Sequence, residues 1–91
     1  MRISKEKMEK ICEQILSFLF STNPRLVFTS DIAREIARDE EFTKKLLIGL
    51  DKDGLVNEVK KSPAGVTYSR RSRWRMSEKA FKVYSSRQET S

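Results

Sequence analysis

Apolar residues recur at three- and four-residue steps over positions 4 to 21, where Met8, Ile11, Cys12, Ile15, Leu16 and Leu19 follow Ser4 in the pattern of a serine-capped amphipathic helix. Phe18 and Phe20 widen that stripe to about 200° of the helix surface, against the roughly 100° that facing a single core requires. Such a helix is either enclosed within the domain or turns its spare face to a second protein. Thr22-Asn23-Pro24 ends it, because Asn favours turns and the residue before proline is pushed out of the α region. Leu26-Val27-Phe28 reads as a short extended segment. Thr29 or Ser30 then caps a second helix running to about Arg38, with Ile32, Ala33 and Ile36 inward and Arg34, Glu35 and Arg38 outward. Asp39 caps a third helix, from about Glu40 to Lys52. Its inward side holds Phe42, Leu46, Leu47 and Leu50, and its other side Thr43, Lys44, Lys45, Ile48 and Lys52. Gly54 supplies the left-handed residue that ends many helices.

Alternation then takes over from helical spacing. Leu55 to Lys61 and about Val66 to Met76 read as antiparallel strands joined near Ser62-Pro63-Ala64-Gly65, with proline second and glycine fourth as a type I turn favours. A tight turn opposes Val59 to Tyr68, and a longer tip opposes Val59 to Trp74. The longer tip is preferred, because it carries the last strand to Ser77 with Trp74 and Met76 toward the core and Arg73 and Arg75 outward. The indole N–H of Trp74 is expected to find a backbone partner. Ser77 caps a last helix, Glu78 to about Arg87, with Ala80, Phe81, Val83 and Tyr84 on its apolar side. One domain over 1–88 and a frayed tail over 89–91 are expected.

Composition narrows the chemistry. The 91 residues include no histidine and a single cysteine, which removes the commonest general base, the commonest metal ligand, any thiolate zinc site and any internal disulfide. Cys12 lies mid-stripe and reads as a small core residue. The carboxylates Asp39, Glu40 and Glu41 stand where a helix start wants negative charge, and Asp51 and Asp53 sit at the other end in solvent, so neither group reads as catalytic. No enzyme activity, cofactor or metal is expected. The sequence also shows no apolar run of membrane-spanning length and no signal-peptide pattern, from which a cytoplasmic, nucleoid-associated protein with no membrane partner is expected.

Charge singles out one stretch. Residues 59 to 77 carry Lys60, Lys61, Arg70, Arg71, Arg73 and Arg75 and no acid, while acids and bases elsewhere balance, so the whole net charge of +6 resides there. One-sided charge beside a turn, with Tyr68 and Trp74 among it, is what a polyanion-binding hairpin needs. Tyr68 either extends such a surface through a phosphate hydrogen bond or merely covers its neighbours, and Arg70 and Arg71 can bind phosphate bidentately.

The order helix, short strand, helix, helix, two-stranded hairpin, helix resembles the winged helix-turn-helix domain, an α+β fold. The resemblance is carried by Thr29-Ser30-Asp31-Ile32-Ala33-Arg34-Glu35-Ile36, by Leu46 through Leu55 with its terminal Asp-Gly-Leu-Val, and by Arg73-Trp74-Arg75-Met76-Ser77-Glu78-Lys79. Size and lysine-glutamate richness resemble the small members from archaea and their viruses. The resemblance implies double-stranded DNA binding, with the third helix in the major groove and the hairpin along the backbone or minor groove. Carried over residue by residue, it makes Thr43, Lys44, Lys45 and Ile48 groove-facing and lets Ser30 and Arg34 touch phosphates. A homodimeric transcription regulator, joined through helix 1 (residues 4–21) with the C-terminal helix as a second contributor, is the resulting expectation. The acidic start Asp39-Glu40-Glu41 departs from that picture, because it repels the DNA backbone unless an acid accepts from cytosine. An adaptor subunit that binds protein, a sequence-neutral chromatin protein and an RNA binder therefore stay open as alternatives.

Overall fold

The computed structural model describes residues 4–60, 65 and 72–89. The first helix, α1 (Lys5–Thr22), begins where Ser4 Oγ accepts from the Lys7 N–H at 3.2 Å. It buries Ile11, Ile15, Leu16 and Leu19, and Cys12, Phe18 and Phe20 pack partly buried beside them, so its wide apolar arc is largely enclosed in the domain.

β1 (Val27–Phe28) leads directly into α2 (Thr29–Ile36). Neither Thr29 nor Ser30 is the cap. Phe28 occupies that position, and the Asp31 carboxylate accepts from its backbone N–H at 3.1 Å, which frees the Thr29 hydroxyl for another partner. α2 also ends two residues before Arg38, because Ala37 turns left-handed at φ 56° and the Arg38 N–H bonds back to the Ala33 carbonyl at 3.0 Å. α3 (Glu40–Lys52) starts from Asp39, whose Oδ1 accepts from the Phe42 N–H at 2.7 Å. It ends at Gly54, φ 78°, where the Gly54 N–H reaches the Asp51 carbonyl and the Leu55 N–H reaches the Leu50 carbonyl at 3.0 and 2.9 Å. That pair of bonds satisfies the Leu50 and Asp51 carbonyls in the last turn of the helix and turns the chain sharply into the sheet.

The sheet is antiparallel with strand order β1, β3, β2, where β2 is Val56–Val59 and β3 is Arg73–Met76. The pairing belongs to the long-tip type but is shifted by one residue, since Val59 opposes Arg73 and Val56 opposes Met76. Burial decides the difference. Opposed residues of an antiparallel pair share a face, so this register puts Val56 and Met76, 0 % and 2 % exposed, together on the core side, whereas the expected one would set Val56 against Ser77. β2 is shorter than expected, and the part of the anticipated last strand before Ser72 falls outside the described residues. Trp74 is fully buried at the centre, but its indole N–H donates to Thr29 Oγ1 at 2.8 Å and not to backbone, because β1 pairs Val27 with Trp74 and so brings the next residue but one within reach.

Ser77 closes the domain. Its N–H donates to the Leu55 carbonyl, its Oγ donates to the Gly54 carbonyl at 2.7 Å, and the same Oγ accepts from the Ala80 N–H to cap α4 (Glu78–Glu89). The end of α3 and the end of β3 are thereby tied to one side chain. α4 packs Ala80 into the core and sets Phe81 and Tyr84 against Phe20, ring centroids 5.2 and 5.7 Å apart. Val83, expected on the apolar side, is instead 49 % exposed. Among the described residues no helix is long and apolar enough to cross a membrane.

Candidate nucleic-acid interface

A 13-residue helix with Leu47 and Leu50 buried must present the opposite arc to solvent, and on α3 that arc carries Lys44, Lys45, Ile48, Gly49 and Lys52, all exposed. Thr43 does not join them. It is fully buried, four residues before Leu47 and hence on the same side, and its hydroxyl donates to the Asp39 carbonyl at 2.8 Å. A hydroxyl satisfied within its own helix carries little penalty for burial, so the polar residue type concealed an inward position.

Glu40 and Glu41 are exposed at the start of the same helix, each four residues before a lysine. Glu preceding Lys at that spacing is the favourable orientation for a helical ion pair. The charges of Glu40, Glu41, Lys44 and Lys45 therefore cancel over the first exposed turns, and at the other end of α3 Lys52 stands between Asp51 and Asp53.

Ser30 at the start of α2 and Lys44 line one open groove of about 470 Å³ with Glu40, Glu41 and Ser72. Phe28 and Thr29 complete it, so the groove joins the starts of α2 and α3 to the point where the β2–β3 loop returns to the sheet. Arg34 is exposed but lines a different groove, with Phe18, Arg25, Asp31 and Glu35. Lys60 is exposed just after β2. Arg73 is half-buried, its guanidinium 4.8 Å from the centroid of the Phe28 ring that it faces across the strand pair, which fixes its charge at the base of the loop. Arg75 is exposed on the same side of β3 yet lies one groove further, beside Asn23, Pro24, Glu78 and Phe81 and with no α3 residue. Lys61, Tyr68, Arg70 and Arg71 lie outside the described residues.

Ser72 and Gly49 belong to this surface and were not singled out from the sequence. For Ser72 nothing distinguishes it from its neighbours. Gly49 did carry a signal, since a glycine well inside a helical pattern calls for a reason. Cys12 stands half-buried on α1, and burial above all, with Asp53 and Glu9 adding to it, pushes its thiol pKa up, which leaves it protonated and a weak nucleophile. Among the described residues no cluster of three or more cysteines or carboxylates is placed to hold a metal ion.

No protein-family model matches the chain, and no curated protein matches it. Solved structures do. A Staphylococcus aureus MepR–DNA complex superposes with a TM-score of 0.74 at 16 % identity, covering 92 % of this chain and 66 % of that one. A MarR family transcriptional regulator from Silicibacter pomeroyi gives 0.70 at 16 % identity, over 93 % of this chain and 52 % of that one. A mutant of Lactococcus lactis ZitR gives 0.67 at 19 % identity, over 98 % and 56 %. The chain thus has the winged-helix fold, with four helices and a three-stranded antiparallel sheet among the described residues, and spans between about half and two thirds of these structures' length.

Proposed function

We propose that this chain binds double-stranded DNA as a transcription regulator and not as an enzyme, laying the exposed arc of α3 in the major groove and the basic β2–β3 loop on the adjoining backbone or minor groove. The observation that carries the reading is the exposed arc itself: Lys44, Lys45 and Lys52 stand around Ile48 on a helix whose start shares a groove with Ser72, at the foot of the loop whose Lys60, Lys61, Arg70 and Arg71 supply four of the chain's six surplus positive charges. Lysines placed so can donate to phosphate oxygens or to guanine edges. The MepR structure that shares this fold is that of a DNA complex, which supports DNA as the partner here.

A homodimer fits this role, reading two half-sites about one helical turn apart. Because α1 keeps Ile15 and Leu19 fully buried, the larger contribution to a dimer contact is assigned to α4, where Val83 stands exposed. Sedimentation in the presence and absence of duplex DNA tests this, and a monomer in both states removes it.

The second reading, a protein-binding adaptor, is favoured by Glu40 and Glu41 standing exposed at the α3 start. Alanine pairs separate the two. DNA binding predicts that Lys44→Ala/Lys45→Ala and Arg70→Ala/Arg71→Ala each weaken affinity for random duplex DNA, with the salt dependence falling by about 0.9 in log–log slope for every phosphate that is no longer neutralised. An adaptor loses nothing from either pair.

A further inference from the structure

Two residues in the middle of the exposed α3 arc have no structural task in the chain itself. Ile48 is 41 % exposed and, with Val83, one of two large apolar side chains left bare among the described residues, although Leu47 and Leu50 already supply the core contacts of that turn. Gly49 follows it, also exposed, at an ordinary helical position without a positive φ, and a Cβ added there would meet nothing within 4 Å. A glycine in a helix interior weakens the helix relative to alanine. Neither packing nor backbone geometry within the chain calls for that weakness.

Charge defines what can cover the pair. Lys44 and Lys45 lie one turn before Ile48, and Lys52 one turn after beside the half-buried Asp51, so three lysines against one acid border an uncharged spot. A polyanion that brings an apolar group to its centre matches that frame, and in duplex DNA the one apolar group exposed in the major groove is the C5-methyl of thymine. We propose that Ile48 and Gly49 form the sequence-reading contact of α3: Ile48 packs on a thymine methyl, and the missing side chain of Gly49 lets the helix sit close to the groove wall. The inference rests on the DNA-binding reading above and adds to it the chemical group that is read.

The experiment uses the duplex that the purified chain enriches from a random-sequence library, together with the same duplex carrying uracil in place of thymine. Wild-type protein is expected to enrich a motif with thymine at a fixed position and to lose about fourfold in affinity on uracil substitution, the contribution of one buried methyl group. Ile48→Ala binds both duplexes equally. Gly49→Ala gives the more telling result, because it should melt several degrees higher and yet bind the thymine duplex about tenfold more weakly, as an overpacked interface does. Gly49→Ala that melts higher and binds as wild type, a uracil duplex bound as tightly as the thymine one, or an enriched motif without a fixed thymine each overturn the proposal while leaving DNA binding intact. Failure of the wild-type chain to bind any duplex overturns the reading beneath it instead.

Discussion

Two buried threonines show how the same side chain serves opposite ends. Thr29 accepts the only hydrogen bond described for the Trp74 indole, so Thr29→Val leaves a buried N–H without a partner and is expected to destabilise the domain by about 1–3 kcal/mol. At this chain length each kcal/mol lowers Tm by roughly 4–8 °C, which thermal melting resolves. Thr43 only donates to the Asp39 carbonyl, which the Thr43 backbone N–H also reaches at 3.1 Å. Thr43→Val therefore strands no group and should melt within about 0.5 kcal/mol of wild type. Equal losses from both variants would show that the indole bond does not decide the stability of this corner. Polarity alone could not separate these threonines in the sequence, since a helical threonine can satisfy itself against the preceding turn whether it faces in or out.

At the scale of elements, α3 is a helix whose first turns oppose its own cations. If Glu40 and Glu41 hold Lys44 and Lys45 in check, they weaken phosphate-driven binding to any sequence and so raise discrimination. Glu40→Gln/Glu41→Gln is then expected to tighten binding to random duplex DNA and to steepen its salt dependence. Glu78→Gln, at the start of α4, controls for the loss of a favourable charge at a helix start and should leave DNA affinity unchanged. Weaker binding by the α3 pair would instead make the acids direct contacts, as an acid accepting from cytosine would be. Ala37 belongs to the same scale. It holds α2 and α3 apart in a left-handed conformation that alanine adopts at a cost of about 1–2 kcal/mol, so Ala37→Gly should raise Tm by a few degrees. An unchanged or lower Tm would show that the added freedom of glycine in the unfolded chain outweighs the relief.

For the whole molecule, periodicity made the helices, their order and the hairpin legible, because each apolar stripe had one core to face. Ser4, Asp39 and Gly54 bound their helices as read. What escaped depended on partners distant in the chain. The strand register rested on matching Val56 with Met76, the indole found a hydroxyl 45 positions away, and Asp31 took the capping role from Thr29 or Ser30. The surface was legible in part: Lys44, Lys45 and Ile48 face outward together as read, Thr43 does not, and Arg34 and Arg75 line grooves of their own. Charge counting located the basic stretch but could not place its members around the α3 arc, since a count along the chain holds no information about which groove a side chain borders.

The proposed grip on duplex DNA uses α3 and the basic loop together. The most direct measurement is equilibrium binding of the purified protein to random and genomic duplex DNA across a salt series, with Lys44→Ala/Lys45→Ala measured alongside. Binding that falls steeply and linearly on log–log axes, a shallower slope for the variant and enrichment of a short motif from genomic DNA are the expected results. No binding at moderate salt, or a variant indistinguishable from wild type in both affinity and slope, would contradict the role of α3 and leave protein docking as the use of this face.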